Sequence, residues 1–428
     1  MIKKWFGIGF LSGICLTVPA APQECSRPFL SMPSNSQVSI NFYSAENCGA
    51  FVEYRRKDDA KYKSKTDQLG GIVLFSKFHN ILLSGLEPGE YEYRVLPIDT
   101  ASGLPDRKAI IGSGNFTISG PSRQTTRLWV TSDIQHRKIR DGVFPQLIAQ
   151  NPLDGSDFIV CVGGSNDSVN HLDKDFLSGG VIATLQSNGG ADIPMILVRG
   201  NHEYRGRAPH DFVRFFGHPE TRKSYYALHY GRDLFIILDS FEDKADHSPG
   251  HGYTNRNVIP QYWMEQRKWL ENLVQSPEFK NARYRIVFSH IPPYGGAEKY
   301  GAENMQTLID GLLDGNEGDN LIHLWLSGHE HYYVRGLPHS KSLAFYRPLQ
   351  RYVDSWRQSG EAFPFPVLLQ DGPGYGGAEV SMSSITLSPE GIELKTSLSN
   401  GKVIDHFKIM TDGAIRIIND KELVYYEK

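Results

Sequence analysis

The chain has 428 residues, and 45 basic against 48 acidic side chains leave a formal charge of -3. That length exceeds one small domain, and 40% hydrophobic with 22% charged residues excludes a disordered chain. The near balance of charge offers no basic field to a polyphosphate backbone, so no nucleic-acid partner is expected.

Residues 1–20 differ in character from the rest of the chain. Lys3 and Lys4 give a positive start, Trp5 to Val18 an apolar run, and Val18-Pro19-Ala20 a small-residue cleavage signal. The run is about 14 residues, short of the roughly 20 that a spanning helix needs. A signal peptide over 1–20 is expected, with a secreted or periplasmic protein that has no permanent membrane anchor. A lipoprotein reading of Cys15 fails because Ile14 stands where a small residue is required. Cys25 and Cys48 flank a Pro- and Ser-rich opening, and a bridge closing that loop would contribute on the order of 3 kcal/mol. Cys161, inside an apolar run, reads as a buried strand thiol.

From Val38 to Ser119 the pattern is short β-rich runs separated by turn residues: Val38 to Tyr43, Ala50 to Arg55, Ile72 to Phe75, Tyr91 to Leu96 and Ile110 to Ile118. Strands so spaced predict an antiparallel β-sandwich over residues 21–121. Within it, Leu86-Glu87-Pro88-Gly89-Glu90-Tyr91 resembles the corner of fibronectin type III domains, where a Leu and a Tyr pack as the chain turns. No titratable cluster is evident there, which suits a spacer or docking module.

Gly120-Pro121-Ser122 interrupts this rhythm and sets the predicted boundary, with the second domain over 122–428. Candidate buried strands are Arg127 to Thr131, Phe158 to Val162, Met195 to Val198, Leu234 to Leu238, Tyr284 to Phe288 and Leu321 to Leu326. Between them Val143 to Ala149, Gly179 to Ser187, Gln261 to Val274 and Asn304 to Leu313 carry helix-period apolar residues. This alternation predicts a layered α/β domain whose sites lie beyond the carboxyl ends of strands. Val380 to Ile418 returns to alternating strands, read as a terminal part of the same sheets.

The polar signals sit at those strand ends. Asp133 follows the first strand, Gly163-Gly164-Ser165-Asn166-Asp167 the second and Gly200-Asn201-His202-Glu203 the third; His290 and Gly328-His329-Glu330-His331 follow later ones. An Asp after a strand is ordinarily a cap and a lone His ordinarily structural. Together, in this order, they read as oxygen and imidazole donors for zinc, iron or manganese. Glycine before Asn201 and His329 suggests sharp turns that aim those side chains inward.

With these residues the chain resembles the calcineurin-like metallophosphoesterases, and among them purple acid phosphatase relatives that carry a fibronectin-like domain in front. The resemblance implies an α/β/β/α layered domain and two divalent or trivalent metal ions about 3.5 to 4 Å apart clamping an in-line phosphoryl transfer. It implies Asp133 and His331 on the first ion and Asn201, His290 and His329 on the second. His202 would stabilise charge or protonate the leaving oxygen, or else orient a ligand. Metal-bound hydroxide would attack phosphorus, and the substrate would be a small phosphorylated molecule, a monoester by analogy with acid phosphatases.

Three departures weigh against full equivalence. Where the family has a bridging Asp the chain has Gly164, and without a carboxylate two such ions repel by ~19 kcal/mol at an effective dielectric of 20. Asp167 stands where purple phosphatases place a tyrosine ligand, and is a candidate for partial replacement of the bridge. Gln135, two residues after Asp133, resembles the Asp-x-Gln of manganese-dependent ADP-ribose and CDP-alcohol diphosphatases and is a further candidate ligand of the first ion, with His136 the alternative. Gly164 keeps open a single bound ion and a weakened or inactive family member acting as a binding protein, while a phosphodiesterase or pyrophosphatase is the alternative to a monoesterase. Gly372-Pro373-Gly374-Tyr375-Gly376-Gly377 reads as a rim loop and not a phosphate cradle.

Overall fold

The structure is a computed structural model that describes residues 25–99, 101–244, 259–294, 299–313, 322–338, 340, 342–348, 350–359, 363–370 and 379–427. The expected signal peptide and the glycine-rich 372–377 loop lie outside the described residues.

In chain order the first strands are β1 (Phe29–Ser31), β2 (Val38–Cys48), β3 (Ala50–Arg56), β4 (Lys63–Thr66), β5 (Gln68–Leu69), β6 (Ile72–Val73), β7 (Ser76–Leu83), β8 (Gly89–Pro97) and β9 (Gly112–Ile118). One sheet has the order β1-β2-β7 and the other β4-β3-β8-β9, while β5 and β6 make a small separate hairpin. Ile40, Phe42, Ile81 and Leu83 from the first sheet meet Val52, Tyr93, Val95 and Phe116 from the second in one core. Alternate residues of facing sheets interdigitate in this way, and the arrangement is the expected sandwich. At its corner the Tyr91 hydroxyl donates to the Glu87 carbonyl at 2.8 Å, and the ring stacks on Phe116.

The principal difference from the sequence pattern is β7. The pattern predicts a strand over Ile72 to Phe75, but only Ile72–Val73 pairs there, and the long strand runs from Ser76. Its buried His79 and Asn80 interrupt the apolar run. Asn80 Nδ2 donates to the carbonyls of Phe215 and Gly217, at 3.1 Å each, and His79 Nε2 to the Ser76 carbonyl at 3.0 Å. A further difference lies at the cysteines, because Cys25 and Cys48 are thiols and no bridge joins them.

After Ile118 the chain crosses to a layered part. Its strands are β10 (Thr126–Thr131), β11 (Phe158–Cys161), β12 (Met195–Leu197), β13 (Tyr226–Tyr230), β14 (Asp233–Ile237), β15 (Arg285–Phe288), β16 (Leu324–Ser327), β17 (Tyr333–Gly336), β18 (Ser342–Tyr346), β19 (Val367–Leu369), β20 (Ser381–Ser388), β21 (Gly391–Leu398), β22 (Val403–Met410), β23 (Ile415–Asn419) and β24 (Val424–Glu427). They form two sheets, of order β12-β11-β10-β20-β21-β22-β23 and β13-β14-β15-β16-β19-β17-β18-β24. Strands β10, β11 and β12 pair in parallel, as do β14, β15, β16 and β19. β20 joins β10 antiparallel, so the terminal strands complete the first sheet as expected.

Leu128, Val160 and Ile196 of one sheet and Phe235, Ile286 and Leu326 of the other share a core between the sheets. The helices α1 (Gln135–Arg140), α2 (Val143–Gln150), α3 (Val181–Leu185), α4 (Pro209–Phe216), α5 (Ile259–Gln275), α6 (Pro277–Asn281), α7 (Lys299–Ile309) and α8 (Gln350–Ser359) lie outside. The outer face of the first sheet packs on Phe144, Leu147, Leu185 and Phe216 from α2 to α4; that of the second packs on Leu270, Met305, Leu308 and Val353 from α5 to α8. This is the α/β/β/α order of layers. Strands covered on both faces read as continuous apolar runs, which makes them legible in sequence.

Candidate metal centre

The carboxyl ends of β10, β11, β12, β15 and β16 come together between the two sheets, and their polar residues are buried there. Asp133, Asn201, His290, His329 and His331 are at most 9% exposed. Asp133, Gln135, His329 and His331 all hold positive φ, at 52°, 46°, 73° and 55°. Non-glycine residues enter that region at a cost, and such strain gathers at functional sites.

Asp133 divides its carboxylate. Oδ2 accepts from the Ser132 hydroxyl at 2.7 Å and the His329 backbone N–H at 2.8 Å. Oδ1 is buried without a hydrogen bond, 3.8 Å from His290 Nε2 and 3.7 Å from His331 Nε2. Burial opposes its charge, but the His290 and His331 imidazoles and the Ser132 hydroxyl hold it well below the usual carboxylate range.

His290 Nδ1 lies 2.7 Å from the Val162 carbonyl, an acceptor, and so donates to it. Its Nε2 faces Asn201 Oδ1 at 3.0 Å. The His329 ring stands edge-on to His290 with centroids 5.3 Å apart, and its buried Nε2 has no hydrogen-bond partner. Burial, then the His290 ring, push His329 down to about 3, which keeps it a neutral donor.

Glu203 holds the two loops that carry these groups. Its buried carboxylate accepts the N–H groups of Gly164 at 3.2 Å, Ser165 at 2.8 Å and Gly200 at 2.8 Å. The sequence places Glu203 within the Gly200 motif, but nothing in the motif assigns it this role. The glycines also act differently from the expected sharp turns. Gly200 is extended at φ -108°. At Gly328 a Cβ would stand 1.8 Å from Ser132 Oγ and 2.4 Å from Asp133 Oδ2, so close approach and not chain reversal excludes a side chain.

His202 is half-buried on the wall of a cavity of about 100 Å³ lined also by Asn201, Arg205, Asp243, Lys244, His329 and His331. Its Nδ1 is held 2.8 Å from the Asp167 carbonyl, which turns Nε2 away from that loop. Burial and the Arg205 guanidinium keep its pKa below the ordinary imidazole value. Arg205 and Lys244, which carry no signal in the sequence pattern, contact Asp243 at 2.6 Å each. A larger cavity of about 470 Å³ lies beside β13 and α5, lined by Tyr225, Tyr226, Trp269 and Leu273 and away from the convergent donors.

Three candidates stand outside the cluster. Gln135 is half-buried at the start of α1; its backbone N–H donates to Gly164 O at 3.0 Å, and none of the described contacts joins its amide to Asp133 or His331. Asp167 is exposed and touches His202 only through its carbonyl, so its carboxylate does not replace the missing bridge. His136 is exposed as well.

The donors suit a cation, since the buried Asp133 Oδ1 and His329 Nε2 have no hydrogen-bond partner and His290 Nε2 and Asn201 Oδ1 lie beside them, oxygen and imidazole groups that ligate metals. As they stand, no three His, Cys, Asp or Glu side chains among the described residues close into a metal-holding group. Gly164, at φ +61°, offers no carboxylate where a bridge between two ions would lie, and a Cβ there would stand 2.6 Å from Asp133 Oδ1. The set therefore fits one cation better than two.

Residues 126–333 match the calcineurin-like phosphoesterase family. No curated protein matches the chain. Among solved structures, a conserved uncharacterized protein from Streptococcus pneumoniae TIGR4, described as a predicted phosphoesterase, is 9% identical; the match covers 72% of this chain and 99% of that one, with a TM-score of 0.27. Vacuolar Protein Sorting 29 from Cryptosporidium parvum is 11% identical over 72% of this chain and 100% of its own, at 0.25. The fibronectin type-III domain of human fibronectin type III domain containing protein 3 is 12% identical over 24% of this chain and 92% of its own, at 0.17. At scores this low the three structures do not bear on what the chain does.

Proposed function

We propose, from a calcineurin-like phosphoesterase domain at residues 126–333, that this protein is a metal-dependent hydrolase of phosphate esters. The observation that carries the reading is the convergence of His290 Nε2 and Asn201 Oδ1, 3.0 Å apart, beside the bare Oδ1 of Asp133. A cation would satisfy the buried Asp133 Oδ1 and His329 Nε2, which have no hydrogen-bond partner.

When bound, such an ion supplies Lewis acidity toward a phosphoryl oxygen and lowers the pKa of water toward neutrality. Asp133, His290 and His331 would hold it, with Asn201 and His329 beside them. Asp133 is kept in place by Ser132 and the His329 N–H, and the loops of Gly164 and Gly200 by Glu203. His202, oriented by the Asp167 carbonyl, presents Nε2 for a hydrogen bond to a phosphoryl or leaving oxygen. Arg205 and Lys244 reach the cavity wall as N–H donors, their charge balanced by Asp243 and Glu242.

The finer reading is an exported phosphomonoesterase of acid-phosphatase type, with a fibronectin-like sandwich over 21–121 in front of the catalytic domain at 122–428. A second reading has one specific motive, Gly164: a protein with one ion and low turnover that serves chiefly to bind. Purified protein loaded with zinc, iron or manganese is to be assayed on p-nitrophenyl phosphate, bis-p-nitrophenyl phosphate and pyrophosphate. Hydrolysis of the monoester, reduced at least about tenfold in His202→Ala, supports the proposal. No turnover of any of the three with any metal sinks it.

A further inference from the structure

At the end of the sandwich where β2 gives way to β3, the β5–β6 hairpin stands clear of the fold. It pairs Gln68 with Val73 and Leu69 with Ile72 around a two-residue loop, Gly70-Gly71. Both glycines hold positive φ, at 59° and 80°, as the tightest hairpin turns require. A Cβ built at either one would meet nothing within 4 Å, so the tip projects into solvent. Its two large side chains are apolar and bare. Leu69 and Ile72 are each 74% exposed, and as a directly opposed pair they share one face.

The base of this hairpin is held. The Leu74 N–H donates to the Asp67 carbonyl at 2.9 Å, and the Thr66 hydroxyl to the Ala50 carbonyl at 2.6 Å. The Asp67 carboxylate is buried and faces His79 Nδ1 at 3.6 Å and the Arg222 guanidinium at 4.0 Å. Phe75, which follows the hairpin and is 49% exposed, borders Gly49 together with Ile98. Ile98 in turn bridges Pro105, beside the exposed Leu104. The bare side chains thus form an apolar strip on an anchored element, unlike the scattered single residues that any protein surface carries.

The charge around the strip is of one sign. Lys63 and Lys65 lie on β4, the strand that leads into the hairpin, and Lys77 on β7, the strand that leaves it. All three are exposed, and none of them forms an ion pair among the described residues. The acids of the neighbouring loop are turned onto their own backbone: Asp99 accepts from the Ala101 N–H and the Ser102 hydroxyl, and Asp106 from the Lys108 N–H. Glu46, near the end of β2, is exposed and offsets one lysine.

We propose that this hairpin docks the protein reversibly on an anionic lipid surface, with Leu69 and Ile72 entering the boundary of headgroups and acyl chains and Lys63, Lys65 and Lys77 meeting lipid phosphates. A few apolar side chains cannot supply the roughly 800 Å² per partner that a stable protein interface needs. A bilayer asks for less, because binding there sums a small buried apolar area and the attraction of nearby cations. Lys65 stands only about 13 Å back from Leu69 along extended chain, so its ammonium lies at headgroup depth when the tip is inserted. Such contact is peripheral and salt-sensitive, and it is independent of the metal centre.

The test is co-sedimentation of the whole purified chain at low salt with vesicles of phosphatidylcholine, alone or with about 30% phosphatidylglycerol. Wild-type protein should sediment with the anionic vesicles, come off as salt rises, and stay in the supernatant with the neutral ones. Leu69→Ser with Ile72→Ser should weaken binding by about tenfold or more. Lys63→Gln, Lys65→Gln and Lys77→Gln together should weaken it by a similar factor and remove most of its salt dependence. All five side chains are exposed, so both variants should keep the wild-type midpoint in urea. Wild type that binds neither vesicle, or both equally, overturns the proposal, and the first result leaves the hairpin to a protein partner. Variants that bind the anionic vesicles as tightly as wild type overturn it as well.

Discussion

His290 Nε2 and Asn201 Oδ1, from loops 89 residues apart, face each other at 3.0 Å while Nδ1 of the same ring donates to the Val162 carbonyl at 2.7 Å. A cation held here would also satisfy the buried Asp133 Oδ1 and His329 Nε2, which have no hydrogen-bond partner. His290→Ala should therefore lower cation affinity and reduce ester turnover by at least about 100-fold, whereas Asn201→Asp, which adds a carboxylate at the same place, should tighten binding. Competition with a chromogenic zinc chelator measures both; equal affinities in all three proteins would contradict this.

Gly164 offers a second prediction. A Cβ there meets Asp133 Oδ1 at 2.6 Å on a backbone at φ +61°, so Gly164→Ala should lose cation binding by displacing Asp133. Gly164→Asp suffers the same displacement but supplies a carboxylate, and should restore binding and raise the ratio of ions to chains. If the Asp and Ala variants bind alike, the missing bridge is not what limits the site.

Glu203 should matter for stability. Gln at this position keeps one acceptor oxygen but turns an N–H pair toward backbone donors, leaving buried groups unpaired. Three N–H bonds to a buried carboxylate are at stake. Glu203→Gln should destabilise the protein by roughly 2 to 4 kcal/mol in urea unfolding. A change below about 0.5 kcal/mol would show that the loops stand without it.

His79 sets a pH dependence. Burial disfavours its charge, but the Asp67 carboxylate and the Cys48 sulfur outweigh burial and hold its pKa up at about 9, against 6.5 for an ordinary imidazole. A raised pKa means that the folded state binds the proton more tightly. Its contribution of roughly 3 kcal/mol is complete below pH 6.5 and disappears as pH rises through 9. Urea unfolding of the reduced protein should thus show wild type losing its advantage over His79→Gln across that interval. A constant difference from about pH 6 to 10 would refute the assignment.

Much of the layered domain is legible in the sequence because strands buried on both faces, such as Phe158–Cys161 and Arg285–Phe288, are unbroken apolar runs. Polar residues set just beyond them have to lie on one rim, and Asp133, Asn201, His290, His329 and His331 do meet there. β7 is not legible, since His79 and Asn80 are buried by partners distant in sequence. Nor are Arg205 and Lys244, whose place on the cavity wall depends on loop conformation. The strain at Asp133 and His329 leaves no mark either, as positive φ in a non-glycine residue is imposed by its surroundings.

The central claim is that these side chains together hold a positive ion. Elemental analysis of protein dialysed against zinc, manganese or iron measures this directly. At least one equivalent per chain is expected, falling toward zero in an Asp133→Asn, His290→Ala double variant that remains folded. No metal retained by the wild-type protein, or equal metal in the double variant, would contradict the account.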